Sequence, residues 1–414
     1  YRTNSVSFAQ KYFVVRILRR LFALALTIVT VPFQIVVFIV LRIASKVIPI
    51  RCGWIITPRI GHMAANFELL YTNLLVTQAQ GGKRGITIWV PSQEHVCNRF
   101  LFKLIKRQVF VVPRWLWIVV HQLNLMFPGG SIIDLGSGTD RDVSNLLDRT
   151  SPSLEFSNSE IRKGNKFLES VGLPKGARFV CLTVRDSSYL ASAYPQNDWS
   201  YHDYRNSSII NYIPAVEELT RRGYFVFRMG AVVDGPLLTQ NPMVIDYAFN
   251  GMRTEFLDIF LGAHCSFCVS TATGFDGVPF SFRRPIVYVN VAPICYLQTY
   301  SIKFLLLAKT HVWLHDKTKL TFDEIVKAGV AFSSNSSEFL KAGIQLLENT
   351  PEQIYQAVAE MDDRINNTIS DSPTQNDQLD RFWQNYRMGL GFQGEKLHGD
   401  FVAKYLRSEI SATI

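Results

Sequence analysis

Four loops in this sequence follow apolar, strand-like runs and carry side chains that bind or activate polar substrates. Arg59, Ile60, Gly61 and His62 follow residues 53–56; Arg185, Asp186, Ser187, Ser188 and Tyr189 follow residues 179–184. Arg228, Met229 and Gly230 close the run at 223–228, and Ser270, Thr271, Ala272, Thr273 and Gly274 close the run at 264–270. Open parallel sheets bind ligands at the carboxyl ends of their strands, so these are the positions where chemistry is expected. Small hydroxyl residues with a glycine, between a buried strand and a helix start, present hydroxyls and amides to a phosphate. Arg185 and Arg228 would add charge-assisted contacts to the same diphosphate and stabilise its departure without a divalent metal. Histidine ordinarily titrates near neutrality, so His62 suits removal of a proton from an acceptor hydroxyl, with Asp186 and Glu68 in reserve. The competing reading is an interdomain or surface salt bridge for each arginine, and a turn-satisfying role for His62. His202, Asp203, Arg205 and Asn206 form a further polar cluster before a helix at residue 213, which they either cap or complement as donor contacts.

The elements that must hold these loops alternate in the manner of a covered parallel sheet. A short strand at 53–56, a turn at 58–62 and a helix over 63–76 make a β-loop-α opening, with further strands at 86–90 and 132–136. Residues 152–164 turn polar and are expected to link two halves. Beyond them come a strand at 179–184, a helix at 213–222, strands at 223–228 and 264–270, a helix at 253–262 and a strand at 285–289. The expected organisation is a membrane-associated segment (1–50), a first Rossmann-like domain (51–155, joined by a C-terminal helix at 390–414) that holds the acceptor, and a second Rossmann-like domain (165–390) that binds nucleotide. Together they make an α/β protein with two domains facing a cleft.

The chain of 414 residues is 48% hydrophobic, with a formal charge of +9. Its basic residues mostly flank apolar stretches rather than interleave with aromatics, which argues for anionic lipid or phosphate and against nucleic acid. The six cysteines (Cys52, Cys97, Cys181, Cys265, Cys268, Cys295) are scattered, so free thiols in a reducing compartment are expected. The Cys265/Cys268 pair lies in an apolar run and reads as core. Residues 21–41 carry no charge and match the hydrocarbon core in length, but Pro32 interrupts them and cations flank both ends (Arg16, Arg19, Arg20; Arg42, Lys46, Arg51). A span and a kinked helix re-entering the cytoplasmic leaflet fit these facts equally. Residues 99–127 mix Trp and Arg with aliphatic side chains, in the style of an interfacial segment or of a packed core helix.

Taken together, several motifs resemble bacterial glycosyltransferases found among surface-polysaccharide biosynthesis genes. They are Arg59 to Glu68, Val184 to Tyr189, His202 to Ser207, Arg228 to Gly230, Ile245-Asp246-Tyr247 and Phe267 to Gly274. More distantly, residues 257–285 are similar to heptosyltransferases and fucosyltransferase-like enzymes, in which the corresponding glycine-containing loop holds the nucleotide diphosphate. The resemblance implies GT-B architecture, inversion and no metal. By role the candidates are His62, Asp186 and Glu68 for catalysis; Arg185, Arg228, Gly230, Ser270, Thr271, Thr273, Gly274, Asp246, Tyr247, His202 and Arg205 for the donor; and Arg59, Gly61 and Asn66 for the acceptor. The expected partners are a nucleotide-sugar as substrate with no cofactor, a lipid-linked or polysaccharide acceptor, the cytoplasmic face of the inner membrane, and further copies of the chain. Two alternatives are carried. Residues Ile132 to Asp140 (IIDLGSGTD) mimic the first motif of S-adenosylmethionine methyltransferases, although Asp140 stands where a third glycine belongs. The other is a non-catalytic scaffold of a polysaccharide assembly complex.

Overall fold

A computed structural model describes residues 2–127, 132–142, 144–193 and 195–368. The expected helix at 390–414 lies outside them. The chain divides into two compact units, Tyr1–Thr139 and Asp140–Ile414.

In the first unit a 43-residue helix, α1 (Arg2–Ala44), runs unbroken through Pro32. It leads into β1 (Ile50–Ile55), α2 (Ile60–Ala79), β2 (Ile86–Pro91), α3 (Arg99–Gln108), α4 (Arg114–Met126) and β3 (Ile132–Asp134). The strands form a parallel sheet in the order β2-β1-β3, so β1 is central and α2 leaves from its carboxyl end. Phe38 of α1 shares one core with Ile50, Cys52, Ile88 and Val90 of the strands and with Trp117 and Val120 of α4.

The second unit comprises α5 (Asn158–Ser170), β4 (Phe179–Thr183), α6 (Ser188–Ala193), α7 (Ile213–Arg221), β5 (Phe225–Met229), β6 (Val244–Ile245), α8 (Glu255–His264), β7 (Phe267–Ser270), α9 (Gly277–Ser281), β8 (Ile286–Val291) and β9 (Phe304–Ala308). A further group follows: β10 (Thr310–Trp313), α10 (Phe322–Lys327), α11 (Ser336–Lys341), β11 (Ile344–Leu347) and α12 (Pro351–Ile365). Strands β4 to β9 form a parallel sheet in the order β6-β5-β4-β7-β8-β9, and β10 pairs with β11 antiparallel. Counted from β4, this is the 3-2-1-4-5-6 order of a doubly wound nucleotide-binding sheet. Its strands are buried along their whole length in β4, β7, β8 and β9, as strands covered on both faces must be.

The polar stretch at 152–164 is not the boundary between the units, which falls at Thr139/Asp140. Its polar residues belong to a helix start instead: Ser157 and Glu160 form a reciprocal capping box on α5. Gly164 lets α5 approach α8 closely, since a Cβ there would stand 2.1 Å from the Phe260 ring. Cys265 precedes β7 rather than lying in it. Cys52, Cys97, Cys181, Cys265 and Cys268 are all free thiols.

Candidate functional site

The chain reverses its winding between β4 and β7, the adjacent strands that occupy the first and fourth places of the sheet. At such a switch point the loops leaving the two strands diverge and open a crevice at their carboxyl ends. The parallel register sets Thr183 opposite Ser270, which brings the Arg185 and Ser270 loops together. Their tips are tied at three points. The Arg185 amide donates to Thr271 Oγ1 at 2.9 Å, the Thr271 amide to the Thr183 carbonyl at 3.3 Å, and the hydroxyls of Thr183 and Thr273 meet at 3.2 Å.

Arg205 approaches from a turn of 3-10 helix (Ser200–Arg205) and donates from Nη2 to the Ala272 carbonyl at 2.5 Å. Ala272 has φ +56, in the left-handed region that a residue with a Cβ avoids, so the Arg205 contact fixes a strained turn in the loop after β7. The segment carrying Arg205 is itself anchored. Glu348 accepts from Ser207 Oγ, the Ser208 amide and Asn211 Nδ2 at 2.9 to 3.0 Å, and Lys309 Nζ donates to the Asn206 carbonyl at 2.6 Å.

Arg185 and Arg205 stand close enough to repel. Burial, and then the Arg205 charge, lower the Arg185 pKa to about 10, so Arg185 remains cationic at neutral pH. Arg185 Nε is buried and, among the described residues, has no hydrogen-bond partner. Two neighbouring cations, one with an unused donor, beside three hydroxyl side chains have the chemistry to hold an anion with several oxygens. Ser270 is fully buried and donates to Asp276 Oδ2 at 2.8 Å, while its oxygen lies 3.4 Å from the Thr273 amide. Burial raises the Asp276 carboxyl to about 7, against the pull of Ser270, Arg205 and the Thr273 amide, and Asp140 pushes it further up. Asp276 and Thr183 escaped the sequence reading. The signal for the first was a carboxylate six residues beyond Ser270; for the second there was none, because Thr183 reads as strand.

Several sequence candidates have other duties. Arg228 is 3% exposed, donates to the Gly235 carbonyl at 2.6 Å and pairs with Asp246 at 3.3 Å. Asp246 also accepts from the Leu237 amide at 2.7 Å, so this pair holds the loop after β5 rather than a ligand. Tyr247 is fully buried, with its hydroxyl bonded to Asp258 Oδ1 and to both the amide and carbonyl of Thr254; burial and Asp258 raise its pKa. Gly230 packs tightly, a Cβ there lying 2.8 Å from Val233 Cγ1. Asp186 accepts from the Ser188 and Asp234 amides and acts as a loop fastener. His202 belongs to an aromatic group, its ring nearly parallel to Trp199 and 4.0 Å from Tyr201. Gly274 lies exposed beyond Thr273.

The first unit's candidates gather at the start of α2. Arg59 stands at the N-cap position without a side-chain capping bond and is exposed, and Gly61 is partly so. His62 Nδ1 lies 3.2 Å from Asn66 Oδ1, and Asn66 Nδ2 donates to the Gly138 carbonyl at 3.1 Å. Because Gly138 offers only an oxygen, the Asn66 amide is oriented, and its Oδ1 must accept from His62. In this pair Nδ1 is then the donor. Glu68 is fully buried on the core side of α2, with Thr72 Oγ1 at 3.5 Å, and is out of reach as a solvent-facing base. The Gly136–Gly138 turn follows β3, a three-residue edge strand, and packs on α2; among the described residues the next helical element is a three-residue 3-10 turn, Leu147–Arg149. Among the described residues of this stretch there is therefore no strand-turn-helix of the kind a methyltransferase motif requires.

No family model matches the chain, and no curated protein does. Among solved structures it is similar to a family 9 glycosyltransferase from Veillonella parvula (13% identity, 75% of this chain and 96% of that one, TM-score 0.44). It is also similar to E. coli ADP-heptose lipopolysaccharide heptosyltransferase II (13%, 75% and 98%, TM-score 0.40). A third is E. coli heptosyltransferase WaaC with ADP-2-deoxy-2-fluoro heptose (14%, 63% and 93%, TM-score 0.30). These are distant likenesses.

Proposed function

We propose that this chain is a membrane-associated glycosyltransferase of the GT-B class. It moves a sugar from a nucleotide-sugar to a cell-envelope glycan or lipid-linked acceptor on the cytoplasmic side, with inversion and without a metal. The observation that carries this reading is that the Arg205 guanidinium and the Arg185 backbone both bond the hydroxyl-rich loop at the switch point between β4 and β7, with the two guanidiniums close enough to interact. A diphosphate there would receive Arg185 Nε, the second guanidinium and the Thr273 and Gly274 backbone.

In the proposed reaction His62 Nε2 takes the proton of the acceptor hydroxyl as its oxygen bonds to the anomeric carbon. The bond from that carbon to the phosphate oxygen breaks, and the nucleoside diphosphate leaves with the electron pair. The two guanidiniums favour this step because they gain most from the charge that develops on the leaving oxygen. Asn66 holds the required tautomer, and Arg59 and Gly61 flank the acceptor.

Release of nucleoside diphosphate from a panel of nucleotide-sugars tests the reading. Arg185→Ala and Arg205→Ala should weaken donor binding, whereas His62→Ala should lower turnover with little change in it. A wild-type protein that neither binds nor consumes any nucleotide-sugar would favour the scaffold alternative.

A further inference from the structure

Residues 1–51 and 99–127 contain 13 of the chain's 43 Lys and Arg and none of its Asp or Glu, leaving 30 cations against all 34 carboxylates elsewhere. The whole positive excess therefore sits on α1, α3, α4 and their flanks. The same elements expose apolar side chains. On α1 these include Leu21, Phe22, Val29 and Val36, and the carboxyl end of α4 adds Met126 and Phe127. A surface both cationic and greasy fits an anionic bilayer.

Leu24–Ala44 is long and apolar enough to cross a membrane. Its second half, however, is built into the first unit. Gln34 is fully buried; its Nε2 donates to the Trp115 carbonyl at 3.0 Å and its Oε1 accepts from the Val119 amide at 3.1 Å. Phe38 joins the core with β1 and β2, and Arg42 donates to the Phe127 carbonyl at 2.7 Å. The contacts advance together along both helices, so α1 and α4 run parallel. If Leu24–Ala44 filled the hydrocarbon core, Gln34 would lie ~15 Å in, at the midplane. The sheet packed on Phe38 would follow it, and an open sheet edge in hydrocarbon leaves backbone groups unpaired at several kcal/mol each. The uncharged stretch before Gln34, residues 21–33, reaches only ~20 Å, short of a ~30 Å core.

We propose that α1 enters one leaflet of an anionic membrane without crossing it, and that the carboxyl end of α4 enters beside it. The first unit is then seated directly on the headgroups, with Lys103, Lys106, Arg107 and Arg114 facing lipid phosphates. This rests on the membrane association put forward above and specifies its geometry.

The test uses the full chain, expressed in bacteria with a protease-cleavable epitope tag at each end, and inverted inner-membrane vesicles treated with protease from outside. The expected result is sedimentation with the vesicles and cleavage of both tags, because both ends lie on one side. Cleavage of the C-terminal tag with protection of the N-terminal one would mean that α1 crosses; that overturns the proposal and leaves membrane association intact. Protein recovered in the supernatant as a dimer, its apolar face covered by a second copy, would overturn both. Nucleotide-sugar turnover measured on the same preparation reports on the glycosyltransferase reading independently.

Discussion

The amide of Arg185, two residues beyond β4, donates to Oγ1 of Thr271, the residue following β7, across a distance of 2.9 Å. That bond fixes the tip of one strand-end loop to the other and holds the backbone that carries the Arg185 side chain. Thr271→Val keeps the shape and removes the acceptor, leaving the Arg185 amide without its partner. The expected loss is about 1–3 kcal/mol, seen as a fall in Tm together with weaker donor binding. Thr271→Ser should recover both, which a purely steric role for the threonine would not allow.

Arg185 and Arg205 are held close enough to repel, and an anion bridging them would relieve the repulsion. Inorganic pyrophosphate should raise the Tm of the wild-type protein, by an amount that shrinks as salt screens the pair. In Arg205→Ala the pyrophosphate-induced rise should be largely gone. An equal rise in the variant, measured by thermal shift at low ionic strength, would detach the two arginines from anion binding.

Asp276 gives the second unit a pH dependence. Its carboxyl is raised by burial from the ordinary 3.8 to about 7, so the folded state binds this proton more tightly than the unfolded chain. The sign follows from linkage: stability falls as pH rises from about 4 to about 7 and the fall ends above it. Urea midpoints for Asp276→Asn should lack this slope. The neutral carboxyl also repels a diphosphate less than the ionised one. Donor affinity should therefore drop as pH passes 7, with proton uptake on binding detected by calorimetry in buffers of different ionisation enthalpy.

On the first unit the informative position is Gln34. Trp115 and Val119 are four residues apart on α4, so their carbonyl and amide can bond each other once the glutamine is gone. Gln34→Leu is expected to cost less than about 1.5 kcal/mol. Gln34→Glu buries a charge against the same carbonyl and should cost several kcal/mol, or abolish accumulation of folded protein. Chemical denaturation in detergent distinguishes the two. Equal tolerance of both would mean that α1 is not held against α4 at this point.

The alternation of buried strands and amphipathic helices is legible because β4, β7 and β8 are apolar apart from Thr183, Ser270 and Asn290, and the strand ends name loops that the sheet brings together. Thr271, Thr273, Arg185 and Arg205 meet there. What local pattern does not carry is the partner of a side chain. Arg228 follows a strand end as plainly as Arg185 does, yet Asp246, eighteen residues later, and the Gly235 carbonyl occupy it. Asp186 was offered as a base because its type allows it, and two backbone amides make it a fastener. The polar stretch at 152–164 looked like a linker because the capping box that uses Ser157 and Glu160 has the composition of a loop. Strands β6, β9, β10 and β11 carry no such signal: β6 has two residues, β9 follows a connection with only one turn of 3-10 helix, and β10 and β11 form a small separate antiparallel pair.

Calorimetric titration of the purified chain and of Arg205→Ala with nucleoside diphosphates bears most directly on the central claim. The account predicts one site on the wild-type protein for at least one of them. It also predicts roughly tenfold to hundredfold weaker binding in the variant, the loss of a charge-assisted contact of about 1.5–3 kcal/mol. Binding unchanged by the substitution, in a variant whose Tm shows it folded, would contradict the assignment of the β4–β7 crevice as the diphosphate site.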